Sequence, residues 1–337
     1  MRGGIRLAFC AALVGGTAVT GLATTGGVVQ ADDANGAPNP YRVIEHWAQL
    51  PQGRPWGQAI GVDIDRDGTS VWVFDRCGAK TCEGSHVAPI QKFDSSGRLV
   101  VSFGSDLINW PHGLFADRDG NIWVTDGRTG SGKGETAIKF APDGRVLLTL
   151  GKLGVAGDGP DELNGPSDVL VAPDGDIFIA DGHGEGTNDR IVKYTRKGKF
   201  VTAWGKHGSG QGEFNTPHGL AMDSAGHLYV ADRGNSRIQI FDQNGKFITE
   251  WKQFGRPSGL YIRDDIIYVC DSQSNDKVNP PFRQGIRIGN VRDGKVSAFI
   301  TSPDPNLQMP EGCAADRNGN VYGGFTANTD VKKYVRN

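Results

Sequence analysis

The chain has 337 residues, which is enough for one or two domains with a large core. Its 36 basic and 38 acidic side chains give a formal net charge of −2, so neither nucleic acid nor an anionic membrane is an expected partner. The 50 glycines recur at regular places, which indicates many tight turns rather than disorder.

The chain begins with a predicted signal peptide at residues 1–31. Arg2 and Arg6 flank the start of the apolar run LAFCAALVGG, and the sequence VQA at 29–31 fits a cleavage site before Asp32. Glycines dilute the run, so a signal peptide is favoured over a retained membrane anchor. We therefore expect a secreted or periplasmic protein without stable membrane insertion. The predicted segments are a signal peptide at 1–31, a linker at 32–40 and a folded domain at 41–337.

Six copies of one unit make up the folded domain. The clearest copies read PHGLFADRDGNIWVTD from residue 111, PSDVLVAPDGDIFIAD from 166 and PHGLAMDSAGHLYVAD from 217. Each unit has an apolar strand, a glycine turn, an alternating strand that ends in Asp, a variable loop and two further strands. Weaker copies begin at 59, 257 and 310. The period of about 40–55 residues predicts an all-β fold, a six-bladed β-propeller.

The two ends of the domain predict how the ring closes. The last unit stops at VKKYVRN, its third strand, while YRVIEHWAQL at 41–50 resembles fourth strands such as KFVTAWG. The N-terminal strand should therefore complete the last blade, which removes an exposed sheet edge.

Four cysteines remain after removal of the signal peptide. An even number in an exported chain favours disulfides over metal thiolates. Cys77 and Cys82 share one loop, so a local bridge is expected, and Cys270 with Cys313 is the residual pairing.

One position in each unit is predicted to face the central channel. It follows the proline that opens the first strand, and the first strand of a propeller blade is the innermost. His112, His218 and Glu311 occupy it in alternate blades, which predicts three converging ligands for a catalytic metal. The alternative is that PHG was copied by blade duplication and that its histidine only caps the turn. The six residues are Ile60, His112, Ser167, His218, Ser258 and Glu311.

Residues after the second strands are candidate catalytic groups. Arg76 and Arg233 directly follow the strand-end Asp, and His183 lies one residue further on in its unit. Arginine can hold a substrate carboxylate, and histidine suits general acid–base work. The alternative is that they are ordinary solvated loop residues. Structural roles are predicted for Asp75, Asp126, Asp181, Asp232, Asp271, Arg190 and Arg237.

The repeat ADRGNSRIQIFDQNGKFITEW resembles the NHL-repeat family, and the resemblance covers residues 41–337. The runs WPHGLFADRDGNIWVTD, IADGHGEGTNDRIVKY and TPHGLAMDSAGHLYVADRGNSRIQ closely resemble one NHL-type family, the peptidyl-α-hydroxyglycine α-amidating lyases. This resemblance implies a six-bladed propeller that cleaves a peptidyl-α-hydroxyglycine to a peptide amide and glyoxylate. It also implies zinc bound by three axial histidines.

Only some of the functional residues of this family have a match in the chain. Two family zinc ligands match His112 and His218, but Glu311 stands in place of the third histidine. Two family arginines match Arg76 and Arg233, and the catalytic tyrosine of the family falls at His183. Zinc is the expected metal, with iron or manganese as alternatives for a set of two histidines and a carboxylate. Gly312 replaces an acidic calcium ligand of the family, which argues against calcium.

Three functions are compatible with these patterns. The first is a metal-dependent lyase acting on an α-hydroxyglycine-like compound. The second is a metal-dependent lactonase-type hydrolase, although such propellers usually use carboxylate and asparagine ligands. The third is a non-catalytic NHL binding module, which would bind no metal. For the enzymes we expect a small-molecule or peptide substrate and a monomeric protein.

Overall fold

A computed structural model describes residues 1, 3, 31–302, 307–327 and 329–337. Nearly all of the predicted signal peptide lies outside these residues. Among the residues described, no helix is long and apolar enough to cross a membrane. The described strands form six four-stranded antiparallel sheets, so the predicted all-β six-bladed propeller is confirmed.

The first three blades each take four consecutive strands. Blade one consists of β2 (Ala59–Ile64), β3 (Val71–Asp75), β4 (Ile90–Phe93) and β5 (Leu99–Phe103). Blade two consists of β6 (Pro111–Ala116), β7 (Ile122–Asp126), β8 (Thr136–Phe140) and β9 (Val146–Leu150). Blade three consists of β10 (Pro166–Val171), β11 (Ile177–Asp181), β12 (Arg190–Tyr194) and β13 (Phe200–Trp204).

The remaining blades continue this order until the last. Blade four consists of β14 (Pro217–Met222), β15 (Leu228–Asp232), β16 (Arg237–Phe241) and β17 (Phe247–Trp251), with a 3₁₀ turn at Arg233–Asn235. Blade five consists of β18 (Gly259–Arg263), β19 (Ile266–Asp271), β20 (Gly285–Asn290) and β21 (Val296–Ile300). Blade six consists of β22 (Gly312–Ala315), β23 (Val321–Gly324), β24 (Val331–Arg336) and β1 (Tyr41–Ile44).

Ring closure by the N-terminal strand is confirmed. β1 pairs antiparallel with β24, from Tyr41 opposite Arg336 to Ile44 opposite Lys333. The pairing satisfies backbone groups of β24 that would otherwise form an open edge. It also joins the two ends of the domain, so all six blades pack against two neighbours.

Burial follows strand position within each blade. The second strands VWVFD, IWVTD, IFIAD and LYVAD are buried at every residue, because each is covered on both faces by adjacent blades. Each fourth strand has at least one exposed residue, and in β5 half-buried and exposed residues alternate. The hydrophobic core is therefore distributed among the interfaces between blades.

The Asp residues at the ends of the second strands have the predicted structural role. Asp126 accepts hydrogen bonds from the backbone N–H groups of Asn109 and Trp110, at 2.8 and 2.6 Å. Asp232 accepts one from Asn215 N–H at 2.8 Å and pairs with Arg237 at 2.7 Å. Each carboxylate thus fixes the loop that leads into a first strand, which is the strand that carries the channel-facing residue.

A short helix, α1 (Ala31–Gly36), begins at the last residue of the predicted signal peptide and extends into the predicted linker. Asn35 Oδ1 accepts a hydrogen bond from Arg287 Nη2 at 2.7 Å, and Phe299 N–H donates to the Pro38 carbonyl at 3.0 Å. Arg287 is fully buried in blade five beside Asp271. The segment ahead of β1 is therefore held against blade five.

Both cysteine pairs are disulfide-bonded. Cys77–Cys82 closes a loop between β3 and β4, and Cys270–Cys313 joins β19 of blade five to β22 of blade six. The second bridge therefore fastens the blade that the N-terminal strand completes.

Removing the bridge between blades should destabilise the protein more than removing the local one. The paired cysteines are 43 residues apart in one case and 5 in the other, and a longer closed loop restricts the unfolded chain more. We expect Cys270→Ala/Cys313→Ala to lower the free energy of unfolding by about 3–4 kcal/mol, and Cys77→Ala/Cys82→Ala by about 2 kcal/mol. Non-reducing denaturant titrations of both variants measure this. A larger loss in the local-bridge variant would contradict the expectation.

Candidate metal centre

The six channel-facing positions meet on the axis as predicted. Ile60, His112, Ser167, His218, Ser258 and Glu311 all line one cavity of about 50 Å³ between the first strands. Close approach of these strands requires glycine at the next position of most blades. A Cβ on Gly113 would lie 2.6 Å from Asp168 Cα, and one on Gly312 would lie 2.3 Å from the Ile60 carbonyl oxygen.

The two ring histidines are oriented by carbonyls of the following blade. His112 Nδ1 lies 2.6 Å from the Ser167 carbonyl oxygen, and His218 Nδ1 lies 3.0 Å from that of Ser258. Because a carbonyl oxygen only accepts hydrogen bonds, both Nδ1 atoms carry the proton. Each Nε2 is left with a free lone pair, and both are buried without a hydrogen-bond partner. Such an arrangement is typical of histidines that ligate a metal.

His183 completes a three-histidine group. It follows β11 and Gly182, and its backbone N–H donates to the Gly165 carbonyl at 2.8 Å. Ring centroids lie 4.5 Å apart for His112 and His183 and 5.1 Å apart for His183 and His218. Potential ligand atoms of the three side chains all lie within 4.8 Å of one another. The structure therefore contains a possible three-histidine metal site.

Burial keeps these histidines neutral. It is the main cause that lowers the pKa of His218 to about 4 and holds the pKa values of His112 and His183 well below the ordinary value. Nearby positive charge adds to the effect, from Arg76 at His112 and from Arg233 at His218. Neutral imidazole is the form that binds a metal, so the site needs no proton release from these side chains at neutral pH.

Glu311 lies beside the three histidines in an ion pair. Its Oε1 is 3.1 Å from Arg233 Nη1 and 3.1 Å from His218 Nε2. Burial opposes ionisation, but the charges of Arg233 and Arg76 hold the pKa of the carboxyl well below its ordinary value. Since the His218 proton is on Nδ1, a lone pair faces this carboxylate. That contact is favourable only with a proton or a cation between the two atoms.

Arg76 and Arg233 are both buried at the mouth of the channel. Arg233 Nη2 lies 3.2 Å from His183 Nε2, while Arg76 Nε donates to the Pro111 carbonyl at 3.1 Å and Arg76 Nη1 donates to the Gln58 side chain. Burial is the main reason that the pKa of Arg76 falls to about 10, so both guanidinium groups stay charged at neutral pH. The site therefore joins neutral candidate ligand nitrogens to two fixed positive charges.

All six site residues predicted from the sequence thus meet in one place. The group that could hold a metal differs from the predicted ligand set in one member, because it contains His183 in place of Glu311. The roles of ligand and base stay predictions for both residues.

Two further residues at the site, Trp110 and Asp168, were not predicted from the sequence. Trp110 lies beside two of the histidines, with its ring centroid 5.0 Å from those of His112 and His183. Asp168 lines the channel cavity at a position where the other five blades have glycine. Its carboxyl accepts hydrogen bonds from Val169 and Leu220 N–H, so it ties blade three to blade four. In the sequence, the replacement of glycine by Asp168 at this repeat position could have marked it as a site residue.

Comparison with known proteins first identifies the repeat family and proteins of similar fold. The NHL repeat family matches residues 214–241. Two solved structures share the fold: a gluconolactonase from Xanthomonas campestris (TM-score 0.59, 16% identity, 92% of this chain and 94% of that one) and a streptogramin B lyase (TM-score 0.57, 14% identity, 88% and 98%). At these identities the likeness concerns the fold alone.

Proteins with similar sequences point to a smaller group of proteins within this fold. NHL repeat-containing protein 3 from Homo sapiens is 31% identical over 201 residues, 58% of this chain and 54% of that protein. Peptidyl-glycine alpha-amidating monooxygenase A from Xenopus laevis is 33% identical over 333 residues, 87% of this chain but 34% of that protein. Peptidyl-alpha-hydroxyglycine alpha-amidating lyase 1 from Drosophila melanogaster is 35% identical over 140 residues, 41% of this chain and 23% of that protein.

The chain therefore spans about half of the first relative and about a third of the second. It is a six-bladed propeller with an NHL repeat at residues 214–241, and it is similar in sequence to peptidyl-α-hydroxyglycine α-amidating lyases.

The metal-free protein should lose stability in acid because of His218. The unfolded chain binds the proton of this side chain near pH 6.5, whereas the folded protein binds it only near pH 4. Between these values the unfolded state binds more protons, so the free energy of unfolding falls as the pH falls. It should fall more steeply than in His218→Asn, by up to about 1.4 kcal/mol per pH unit.

Urea titrations of both proteins after chelator treatment, from pH 7 to pH 4, measure the difference. Asparagine can still donate to the Ser258 carbonyl but does not titrate, so His218→Asn is the matched control. Equal slopes for the two proteins would show that His218 is protonated as easily in the folded protein as in the unfolded one.

Proposed function

We propose that this protein is an exported metal-dependent lyase that cleaves a C–N bond in an α-hydroxyglycine-like substrate. The observation that carries the proposal is the convergence of three histidines whose ligand atoms lie within 4.8 Å, next to two buried arginines. The amidating-lyase relatives support the reaction class. The N-terminal segment and the two disulfides support export to an oxidising compartment.

The donor set fits a divalent metal, and zinc is the proposed ion, with iron or manganese as alternatives. His112 and His218 present unpaired, buried Nε2 atoms, whereas His183 Nε2 accepts from Arg233 Nη2 at 3.2 Å, a contact that has to open before this nitrogen can ligate a metal. We propose that these three side chains hold the metal, since three nitrogen ligands with an open position are typical of catalytic zinc. A bound metal would lower the pKa of a substrate hydroxyl that coordinates to it.

The neighbouring residues have roles that follow from their charges. Glu311 is the carboxylate that lies against this site, at 3.1 Å from His218 Nε2, and we propose that it accepts the hydroxyl proton. The C–N bond of the substrate then breaks while the hydroxyl carbon becomes a carbonyl. The proton passes to the departing amide nitrogen, so the products are an amide and glyoxylate. Arg76 and Arg233 would hold the carboxylate of the substrate.

Metal content distinguishes the two possible ligand sets. Ligation by His112, His183 and His218 predicts about one zinc per chain in wild type and in Glu311→Ala, and loss of zinc in His112→Ala and His183→Ala. Mass spectrometry of residues 32–337, dialysed without chelator, measures this. If Glu311→Ala loses the metal and His183→Ala keeps it, the ligands are His112, His218 and Glu311, and His183 is the candidate base.

Glyoxylate release tests the reaction itself. Wild-type protein loaded with zinc should convert a peptidyl-α-hydroxyglycine to peptide amide and glyoxylate in equal amounts. Removing a metal ligand with His112→Ala should lower the rate by at least about a thousandfold. Chromatography of the peptide product with a colorimetric assay of glyoxylate measures both products.

Two outcomes would replace the proposal with an alternative. Hydrolysis of lactones without glyoxylate release would favour a lactonase-type hydrolase, the activity named for one protein of similar fold. Absence of bound metal after reconstitution with zinc, iron and manganese would favour a non-catalytic NHL binding module.

A further inference from the structure

Trp110 at the mouth of the channel contacts two guanidinium groups. Arg76 Cζ and Arg128 Cζ each lie 3.9 Å from the centroid of its ring. Both guanidinium groups are therefore in cation–π contact with the indole. Trp110 is buried and lies 5.0 Å from both His112 and His183 by ring centroids. Arg128 is therefore one side chain away from the candidate metal centre.

The two arginines differ in what else they contact. Arg76 is buried and donates to the Pro111 carbonyl and to Gln58. Arg128 is exposed, and within the described part of the chain its guanidinium forms no hydrogen bond or ion pair. Its guanidinium lies over the Trp110 ring, and because the residue is exposed its N–H donors are available to a ligand.

The backbone around Arg128 is fixed, so these donors have a defined position. The Arg128 carbonyl accepts a hydrogen bond from Asn109 Nδ2 at 2.8 Å. The next residue, Thr129, donates its N–H to Glu135 Oε1 at 3.0 Å. A planar cation that is held by stacking and by its backbone loses little conformational entropy when it binds an anion.

Acidic side chains near Arg128 already have other partners. Glu135 accepts hydrogen bonds from Thr129 N–H and from Gly165 N–H, the latter at 2.7 Å. Glu311 is paired with Arg233. Arg76 and Arg233 would hold one carboxylate of the substrate. Arg128 is therefore an additional cation at the mouth of the channel.

We propose that Arg128 binds a second anionic group of the substrate, so that the site selects a dicarboxylate. This inference rests on the proposed function. The second carboxylate would belong to the acyl part of the substrate, for example an acidic side chain on the residue that precedes the α-hydroxyglycine. Arg128 would thereby determine specificity and would take no part in bond cleavage.

Steady-state kinetics with two isosteric substrates tests the proposal. Acetyl-Asp-α-hydroxyglycine and acetyl-Asn-α-hydroxyglycine differ only in the charge of the first side chain. We expect zinc-loaded wild-type protein to prefer the aspartyl substrate by about tenfold in kcat/KM, through a lower KM. Arg128→Gln should abolish this preference and leave kcat for the asparaginyl substrate unchanged. Arg128→Lys should keep part of it.

The matched control is Arg145→Gln, which removes an exposed arginine from the turn between β8 and β9, outside the candidate site. It should keep the full preference. Equal KM values for the two substrates in wild-type protein, or an unchanged preference in Arg128→Gln, would overturn the proposal.

Direct binding separates failure of this inference from failure of the proposed reaction. If neither peptide releases glyoxylate, the proposed function fails, but calorimetric titration with succinate and its monoamide succinamate still tests Arg128. Wild-type protein should bind succinate about tenfold more tightly than succinamate, and Arg128→Gln should bind both alike. Equal affinities in wild-type protein would overturn the second anion site.

Discussion

The candidate site depends on one kind of contact between blades, the hydrogen bond from a ring histidine to the carbonyl of the next first strand. His112 is bonded to Ser167 and His218 to Ser258 in this way. Each bond fixes the tautomer of the histidine and directs its free nitrogen towards the axis. The contact exists only because the first strands pack closely, with glycine at positions such as 113 and 312. The geometry of the site is thus a property of the ring rather than of any single blade.

The same ring explains why the site can be rigid. β1 closes the propeller through β24, and the bridge Cys270–Cys313 joins blades five and six close to Glu311. Carboxylates at the strand ends, such as Asp126, fix the loops that enter the first strands. Ligand positions are therefore set by backbone and by buried hydrogen bonds, which is what a preorganised metal site requires.

At the candidate site, neutral histidine side chains lie next to two positively charged arginines. Burial keeps His112, His183 and His218 unprotonated, while Arg76 and Arg233 remain charged. The three histidines come from two kinds of position, because His112 and His218 lie on first strands and His183 lies on a loop. The ring position of blade six carries Glu311, which pairs with Arg233.

The sequence by itself determined the six units, the closure by the N-terminal strand, the six channel-facing positions and the structural Asp residues. Each of these can be predicted because it recurs at a fixed place in the repeat. It also placed Arg76, Arg233 and His183 at the mouth. Only the tertiary structure decided that His183 reaches the ring histidines, that their Nε2 atoms are free, and that Arg76 and Arg128 both contact Trp110. These contacts join loops of different blades. The repeat period fixes where a loop starts but not the direction of its side chains, which packing against neighbouring loops determines.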